Sequence, residues 1–481
     1  MNLLAEERFP ARQRVALPSR FTASTSGPIG EDKMADQPVA SMDPRAIIRT
    51  AAYRRLLVVA ALVGFGVSLV AWAFLTLIPW IQDGVFVNLP RALGFEPAPW
   101  WWPLPVLVIA GAITAFAIIR LPGKGGNVPA LGFGAGATEP ASLSGILLAS
   151  LATLGLGLVL GPSMPVIALG SGLAIFAVRT AKKDAPNQVV LVMPAAGSFA
   201  ALAMIFGSPV ISAVILIEAA GLGGPTLPLI VLPGLLAAGI GSLVYLGMGY
   251  LTGLSTSAYA LNPLELAAVP QLTVVHFLWT FVVAAAAAVV TFAIIWAARK
   301  IQLLVRPRQF LLLPIAGLVV AGLAIAFAQL GDQTPYAVLF SGSRALQPVV
   351  EQAGTMPFAT VALLYVCKGL AWSISLGSFR GGPVFPAIFV GTVGGLLAAH
   401  LPGFPLGAAI ATVMGATVVT MLRLPLAAVV IALLMTTSAG AVVSPLIIVA
   451  VVVAYVVVDR LEKRFPPPAL DVETADPSGH G

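Results

Sequence analysis

The stretch "GPSMPVIALG" (161–170) returns downstream as "GPVFPAIFVG" (382–391). Both obey G-P-x-x-P-x-I-x-x-G, and the copies lie 221 residues apart (382 − 161), almost half of a 481-residue chain. Proline is tolerated in the first turn of a helix, where its missing N–H would find no intrahelical acceptor anyway. Two prolines three apart, ahead of an apolar run, therefore mark a helix start. The glycine before them lets the chain turn tightly. Such a start carries free backbone N–H groups and the positive end of the helix dipole. Set inside a membrane, it can hold an anion without any formally charged side chain.

Composition sets the surroundings of that phrase. The chain is 59% hydrophobic and 9% charged, against about 25% charged residues in an ordinary soluble domain. No soluble core hides so much apolar side chain, so the sequence reads as an all-α, polytopic integral membrane protein. The net charge of +7 gives no reason to expect nucleic acid, because Lys and Arg gather in the cytoplasmic loops of membrane proteins. The single Cys367 excludes an intrachain disulfide and a cysteine metal cluster. His276 and His400 are far apart in sequence, no H-E-x-x-H, nucleophile elbow or Walker loop occurs, and neither metal, cofactor nor enzymatic chemistry is expected.

A spanning helix needs about 20 apolar residues. The runs 55–79, 103–119, 141–160, 226–250, 271–298, 309–330, 357–376 and 442–458 approach or exceed that length. Shorter pieces, 127–136, 163–178, 189–206, 209–220, 383–400, 405–421 and 424–437, begin or break at Gly or Pro. The 48 Gly and 39 Pro suit half-spanning helices whose ends are buried in protein or face a water-filled cavity. Arg54 and Arg55 precede the 55–79 run, whereas Arg299, Lys300, Arg306 and Arg308 follow 271–298. By the positive-inside rule these two runs cross in opposite directions. The loop 80–102 then faces outward, with Trp100, Trp101 and Trp102 as an interfacial anchor. A second matched pair, "SPVISAVILI" (208–217) and "LPLAAVVIAL" (424–433), sets Pro209 and Pro425 216 residues apart. Together these features predict an inverted repeat, with halves at 51–262 and 263–465 and the working site at their interface near mid-membrane. Residues 1–50 are expected to form a disordered cytoplasmic tail, with Met34 an alternative start. Residues 466–481 are expected to form a second tail, with no soluble regulatory domain after the membrane part.

A third glycine-rich phrase, "GKGGNVPALGFGAG" (123–136), puts Gly125, Gly126 and Asn127 ahead of Val128-Pro129 and an expected short helix. The three phrases nominate Gly125, Gly126, Asn127, Gly161, Pro162, Ser163, Met164, Gly382, Pro383, Val384 and Phe385 as an anion pathway. Arg344, Lys368, Arg380 and Arg423 lie in or beside apolar runs. They either supply a positive field toward the pore mouths, or snorkel and pair with acids such as Glu351 and Glu265. Snorkelling or pairing is the expectation for Lys368. Arg380, directly ahead of the second helix start, stays open between the two.

These phrases, in this order, resemble the CLC chloride channel and chloride/proton exchanger family over roughly residues 55–465. "GGNVP" (125–129) is similar to G-S-G-I-P, and "GPSMPVIALGSGLA" (161–174) to G-R/K-E-G-P-x-V-x-x-G-x-x-x-G. "MIFGSPVISAVILIEA" (204–219) is similar to A-A-F-N-A-P-L-A-G-x-x-F-x-x-E-E. "GGPVFPAIFVGTVGG" (381–395) and "MLRLPLAAVVIALLMTT" (421–437) are similar to G-G-x-F-x-P-x-L-x-x-G-x-x-x-G and R-A-P-L-T-G-x-x-x-x-x-E-M-T. The resemblance implies about eighteen full and half-spanning helices. It also implies a homodimer in the plasma membrane with one chloride pathway per subunit.

The departures are as informative. The resemblance implies a gating Glu where this chain has Ser163, whose hydroxyl stays neutral at physiological pH. It implies a proton-relaying Glu at Ala219, beside Glu218, itself an intramembrane acid and so a candidate relay or a structural residue. The anion-coordinating Ser reads Gly126, the Phe of G-x-F-x-P reads Val384 with Phe385 beside it, and the late pore Tyr has no counterpart; Phe465 is nearest and Tyr455 lies too early. Passive permeation of chloride or a similar small anion, not coupled to protons, is the leading expectation. A secondary anion transporter working through Glu218 or Glu139 is the alternative, and a non-conducting structural subunit is a third.

Overall fold

The computed structural model describes residues 44–134, 136–181, 187–221, 227–256 and 259–468. The expected tails fall largely outside these limits. With the exception of 127–136, the apolar runs bounded by Pro and Gly become helices close to the limits the sequence predicts. Helix α1 (Pro44–Ile48) leads into α2 (Ala51–Asp83), which continues through a π turn (Gly84–Asn88) into α3 (Leu89–Ala92). Next come α4 (Pro103–Arg120), α5 (Leu143–Gly155), α6 (Ser163–Ala181), α7 (Asn187–Phe206), α8 (Pro209–Ala219) and α9 (Leu227–Thr252). The second half of the chain contributes α10 (Val274–Val305), α11 (Gln309–Gly331), α12 (Leu346–Glu351) and α13 (Phe358–Ser378). It ends with α14 (Val384–Ala398), α15 (Leu406–Leu422), α16 (Pro425–Met435) and α17 (Ser444–Arg464). These seventeen helices include the short α1, α3 and α12, and the described residues hold no β-strand beyond one isolated bridge.

Local chemistry sets many of these limits. Thr50 accepts the Tyr53 N–H at 3.1 Å and caps α2, and Ser208 caps α8 through Ile211. Pro209 and Pro425 open α8 and α16, the matched pair of the second repeat phrase, and each helix runs for 11 residues. His276 is used locally: its Nδ1 accepts the Thr273 N–H at 3.2 Å, at the start of α10.

Helices α14 and α15 lie inside, and α2, α9 and α11 lie outside. α15 is buried from Gly407 to Leu422, and α14 nearly so. By contrast α2, α9 and α11 expose large apolar side chains, among them Leu62 (68%), Leu251 (81%) and Leu330 (75%). Soluble monomers rarely show continuous apolar surface of this kind, and lipid is the solvent that suits it. Among the described residues, seven helical stretches are long and apolar enough to cross a bilayer. The molecule is an all-α, multi-pass integral membrane protein. Of the three tryptophans expected as an interfacial anchor, Trp100 and Trp101 are exposed, but Trp102 turns inward and donates its indole N–H to Val85 O at 3.0 Å.

The last glycine of each repeated phrase has the same task. Gly170 brings α6 against the backbone of Gly197 on α7, and Gly391 brings α14 against Met414 on α15. A methyl group on Gly391 would lie 2.7 Å from the Met414 Cα, so backbone would have to move. Small residues of this kind let membrane helices approach closely. Gly391→Ala is therefore expected to destabilise by about 1–3 kcal/mol, the usual cost of overpacking. Gly66→Ala, with nothing within 4 Å of the added methyl, is the neutral control. Thermal unfolding of both purified variants compares them, and a Gly391→Ala protein as stable as Gly66→Ala would refute the reading.

Candidate functional site

The two copies of the repeated phrase meet. Gly161 N–H donates to Gly382 O at 2.7 Å, and Gly382 N–H donates to Gly161 O at 2.5 Å. This antiparallel bridge joins the first residue of one copy to the first residue of the other. It sets the start of α6 beside the start of α14. Space there is minimal: a methyl on Gly382 would collide with the Ser163 Oγ, and one on Gly161 would lie 2.9 Å from the Phe385 Cβ.

Each start offers the same unused donors. Val166 N–H bonds Pro162 O and Ala387 N–H bonds Pro383 O, closing the first turns. Pro165 and Pro386 have no N–H to give. The backbone N–H groups of Ser163, Met164, Val384 and Phe385 make no hydrogen bond among the described residues. Four donors and two positive dipole ends thus come together in a buried place. Ser163 is itself fully buried, and its hydroxyl has no partner.

The third phrase is built differently from the expectation. The described residues of 127–136 form no α-helix; only a 3₁₀ turn, Pro129–Leu131, follows Val128. Gly125 and Gly126 take the left-handed φ values of 75° and 88°, which suits a tight turn. The Gly126 N–H is spent on Gly123 O at 2.7 Å, so it is not an anion donor. Asn127 is exposed, with its side-chain amide close to Gly134. This phrase brings a loop to the site, not a third helix dipole. Arg299 ties it to α10 by donating from Nε to Ala130 O at 3.1 Å.

A cavity of about 50 Å³ leads to the paired starts, lined by Pro162, Phe385, Tyr259, Ala260, Ser341 and Arg344 among others. The Phe385 ring lies 6.3 Å from the Phe206 ring. Tyr259 donates its hydroxyl to Tyr245 O at 2.8 Å. Tyr259, Ser341 and Ser343 were not legible as site residues, because they sit in irregular segments between helices with no motif around them. The break after "YLTGLSTSAYALNP" was the one available signal for Tyr259.

The charged residues resolve in ways the sequence left open. Arg344 pairs with Asp83 at 2.7 Å, and Arg423 pairs with Glu462 at 2.6 Å beneath the Tyr455 ring. None of the four cations pairs with Glu265 or Glu351. Lys368 corrects its expectation outright, for it neither snorkels nor pairs with an acid. It is fully buried, and its Nζ donates to four consecutive carbonyls, those of Ala337, Val338, Leu339 and Phe340, at 2.8–3.2 Å. The ammonium also lies 4.6 Å from the Phe389 ring centroid on α14. It pins the segment before Ser341 and Ser343 against the helix that starts at the site. Arg380 is 4% exposed, with Nη1 on Phe379 O at 3.2 Å and Nε without a partner.

The acids are committed elsewhere. Glu218, at the end of α8, accepts the Leu426 N–H at 2.9 Å and the Ala427 N–H at 2.8 Å. It caps α16 from outside that helix, where its charge also suits the dipole. Ala219 beside it carries no acid. Glu139 is held by Arg179 in a two-bonded pair, at 2.8 and 3.2 Å, on the surface.

A family model described as "Voltage gated chloride channel" matches residues 136–459. YfeO of Escherichia coli (strain SMS-3-5 / SECEC), a protein named for ion transport, is 26% identical over 72% of this chain and 79% of its own. YfeO of Salmonella paratyphi A is 28% identical over 72% of this chain and 81% of its own. Among solved structures, a slow cyanobacterial Cl⁻/H⁺ antiporter superposes with TM-score 0.67 at 19% identity, covering 85% of this chain and 95% of its own. A CLC-type fluoride/proton antiporter superposes with TM-score 0.61 at 17% identity, covering 84% and 96%. At these identities the two structures establish the fold.

Two variants test the assignments of buried charge. Lys368→Met removes the ammonium that four carbonyls share and should cost about 3 kcal/mol or more, as loss of one partner of a buried charged network does. Glu218→Ala uncaps α16 and should cost about 0.5–2 kcal/mol. Denaturant or thermal unfolding reads both, and a Lys368→Met protein no less stable than Glu218→Ala would contradict the carbonyl cage.

Proposed function

The chain belongs to the voltage-gated chloride channel family, and from that premise we propose that it conducts a small anion, chloride in the first instance, passively and without proton coupling. One observation carries the reading: the bridge between Gly161 and Gly382 that gathers four free N–H groups at two helix starts around a buried, uncharged Ser163. The donors suit an anion, and the position where a carboxylate would compete with it is neutral at every physiological pH. Gly161, Pro162, Ser163, Met164, Gly382, Pro383, Val384 and Phe385 form the pathway, with the Gly125–Asn127 loop at its edge. Ala219 offers no relay, and Glu218 is held by two backbone donors.

The two halves, 51–262 and 263–465, would then be inverted copies whose starts meet at the anion. The antiparallel pairing of equivalent glycines and the equal lengths of α8 and α16 support that arrangement. A homodimer in the plasma membrane, with one pathway per subunit, is the assembly we assign. A second reading is anion/proton antiport, favoured by the names of the two solved structures it resembles.

Chloride-loaded liposomes with a pH readout separate the two. Passive conduction predicts chloride efflux once valinomycin clamps the potential, with no uphill proton movement driven by the chloride gradient. Sustained chloride-driven proton pumping would refute it. Ser163→Glu places an ionisable acid beside the start of α14. Its charge–dipole attraction of about 1–2 kcal/mol should lower flux at pH 7.5 roughly tenfold relative to pH 5. Equal flux at both values would mean that Ser163 lies outside the pathway.

A further inference from the structure

Among the described residues two side-chain cations, Lys368 and Arg380, are buried, and the protein satisfies only one. Lys368 has three N–H groups and four carbonyls to receive them. Arg380 has five donors in a fixed fork and one acceptor, the carbonyl of its own neighbour Phe379. Its Nε is buried without a partner, and no carboxylate of the described residues pairs with it. A guanidinium almost wholly withdrawn from water, with one buried nitrogen unpartnered and no carboxylate beside it, is strongly unfavourable. Its position gives the reason it is tolerated. It stands two residues before Gly382, the residue bridged to Gly161. Its stem fills the space beside Gly125, where an added methyl would lie 3.1 Å from the Arg380 Cγ. Two more buried donors without partners flank the same segment, the hydroxyls of Ser163 and Ser378.

We propose that Arg380 is the fixed cation of the anion site, and that a halide held beside the paired helix starts is its counter-ion. This rests on the anion-conduction reading and sharpens it. Where Gly126 offers no side-chain donor and spends its own N–H on Gly123, a guanidinium from the other half of the chain supplies the missing attraction. Gly125 is small so that the arginine stem can pass. Selectivity then comes from a formal charge facing neutral donors, and the site binds a monovalent anion with its own neutralising partner already in place.

The test is calorimetric titration of sodium chloride into protein purified in gluconate, for wild type, Arg380→Gln and Arg380→Lys. Saturable chloride binding in wild type, weakened at least tenfold in Arg380→Gln and less in Arg380→Lys, is the expected result. Equal affinity in wild type and Arg380→Gln overturns the assignment, as does a wild type with no saturable binding. Should Arg380→Gln fail to fold, wild type alone decides. Its melting temperature must rise in chloride over gluconate at equal ionic strength, and a flat response overturns the proposal. Chloride flux from the same preparations keeps the two readings apart. Arg380-dependent binding with no flux sinks conduction alone. Flux unchanged in Arg380→Gln sinks the role of Arg380 alone.

Discussion

Two hydrogen bonds between Gly161 and Gly382 hold the architecture to its purpose. They join parts of the chain more than two hundred residues apart, and they do so at the first residue of each helix-start phrase. Two positive dipole ends brought together repel each other, so the arrangement needs a restraint and gains from an anion. The bridge is the restraint. The proline after each glycine and the proline in each first turn keep the starts at fixed residues. The last glycine of each phrase then lets α6 and α14 settle against α7 and α15. The phrase is thus a complete instruction: pair, start a helix, leave donors free, pack closely.

Charge is treated strictly in the surrounding interior. Lys368 is balanced by carbonyl dipoles and serves as an internal cross-link between a loop and a helix. Glu218 is balanced by the N–H groups of α16 and joins the two short helices of the second repeat phrase. Arg344 and Arg423 are balanced by carboxylates nearer the surface. Each of these neutralises locally, which a low-dielectric medium demands. Arg380 is the one whose protein partners stop at a single carbonyl, and it stands where an anion pathway would supply the rest. The absence of a carboxylate at position 163 fits the same economy: a negative side chain there would satisfy the donors permanently or until protonated.

Much of the fold was legible because membrane helices are bounded by local chemistry. Apolar runs, Pro at helix starts and Gly at breaks located α2, α4 and α6 through α17 apart from the small α12, most of them within a few residues, although α10 and α17 run past the expected ends to Val305 and Arg464. The failures share a cause. The phrase at 123–136 carries the same residue types as the other two, yet its glycines adopt left-handed turns and its proline opens only a 3₁₀ turn. Composition cannot distinguish a glycine that precedes a helix from one that folds a loop under a neighbouring arginine. Trp102 resembled its two neighbours in sequence and differs from them through one buried bond to Val85. Tyr259 and the 341–344 segment had no periodicity to betray them.

By itself, the sequence determined the membrane class, the position of most helices, the doubled helix start and the uncharged residue at position 163. Each of these depends on side-chain chemistry acting within a few residues, and proline, glycine and apolar periodicity record it directly. Only the tertiary structure decided which starts meet, which carbonyls receive Lys368, which helix Glu218 caps, and that Arg380 is left with a single carbonyl. Those are facts about partners. A buried charge is stabilised by whatever dipoles the fold brings to it across long stretches of chain, and no local pattern names them.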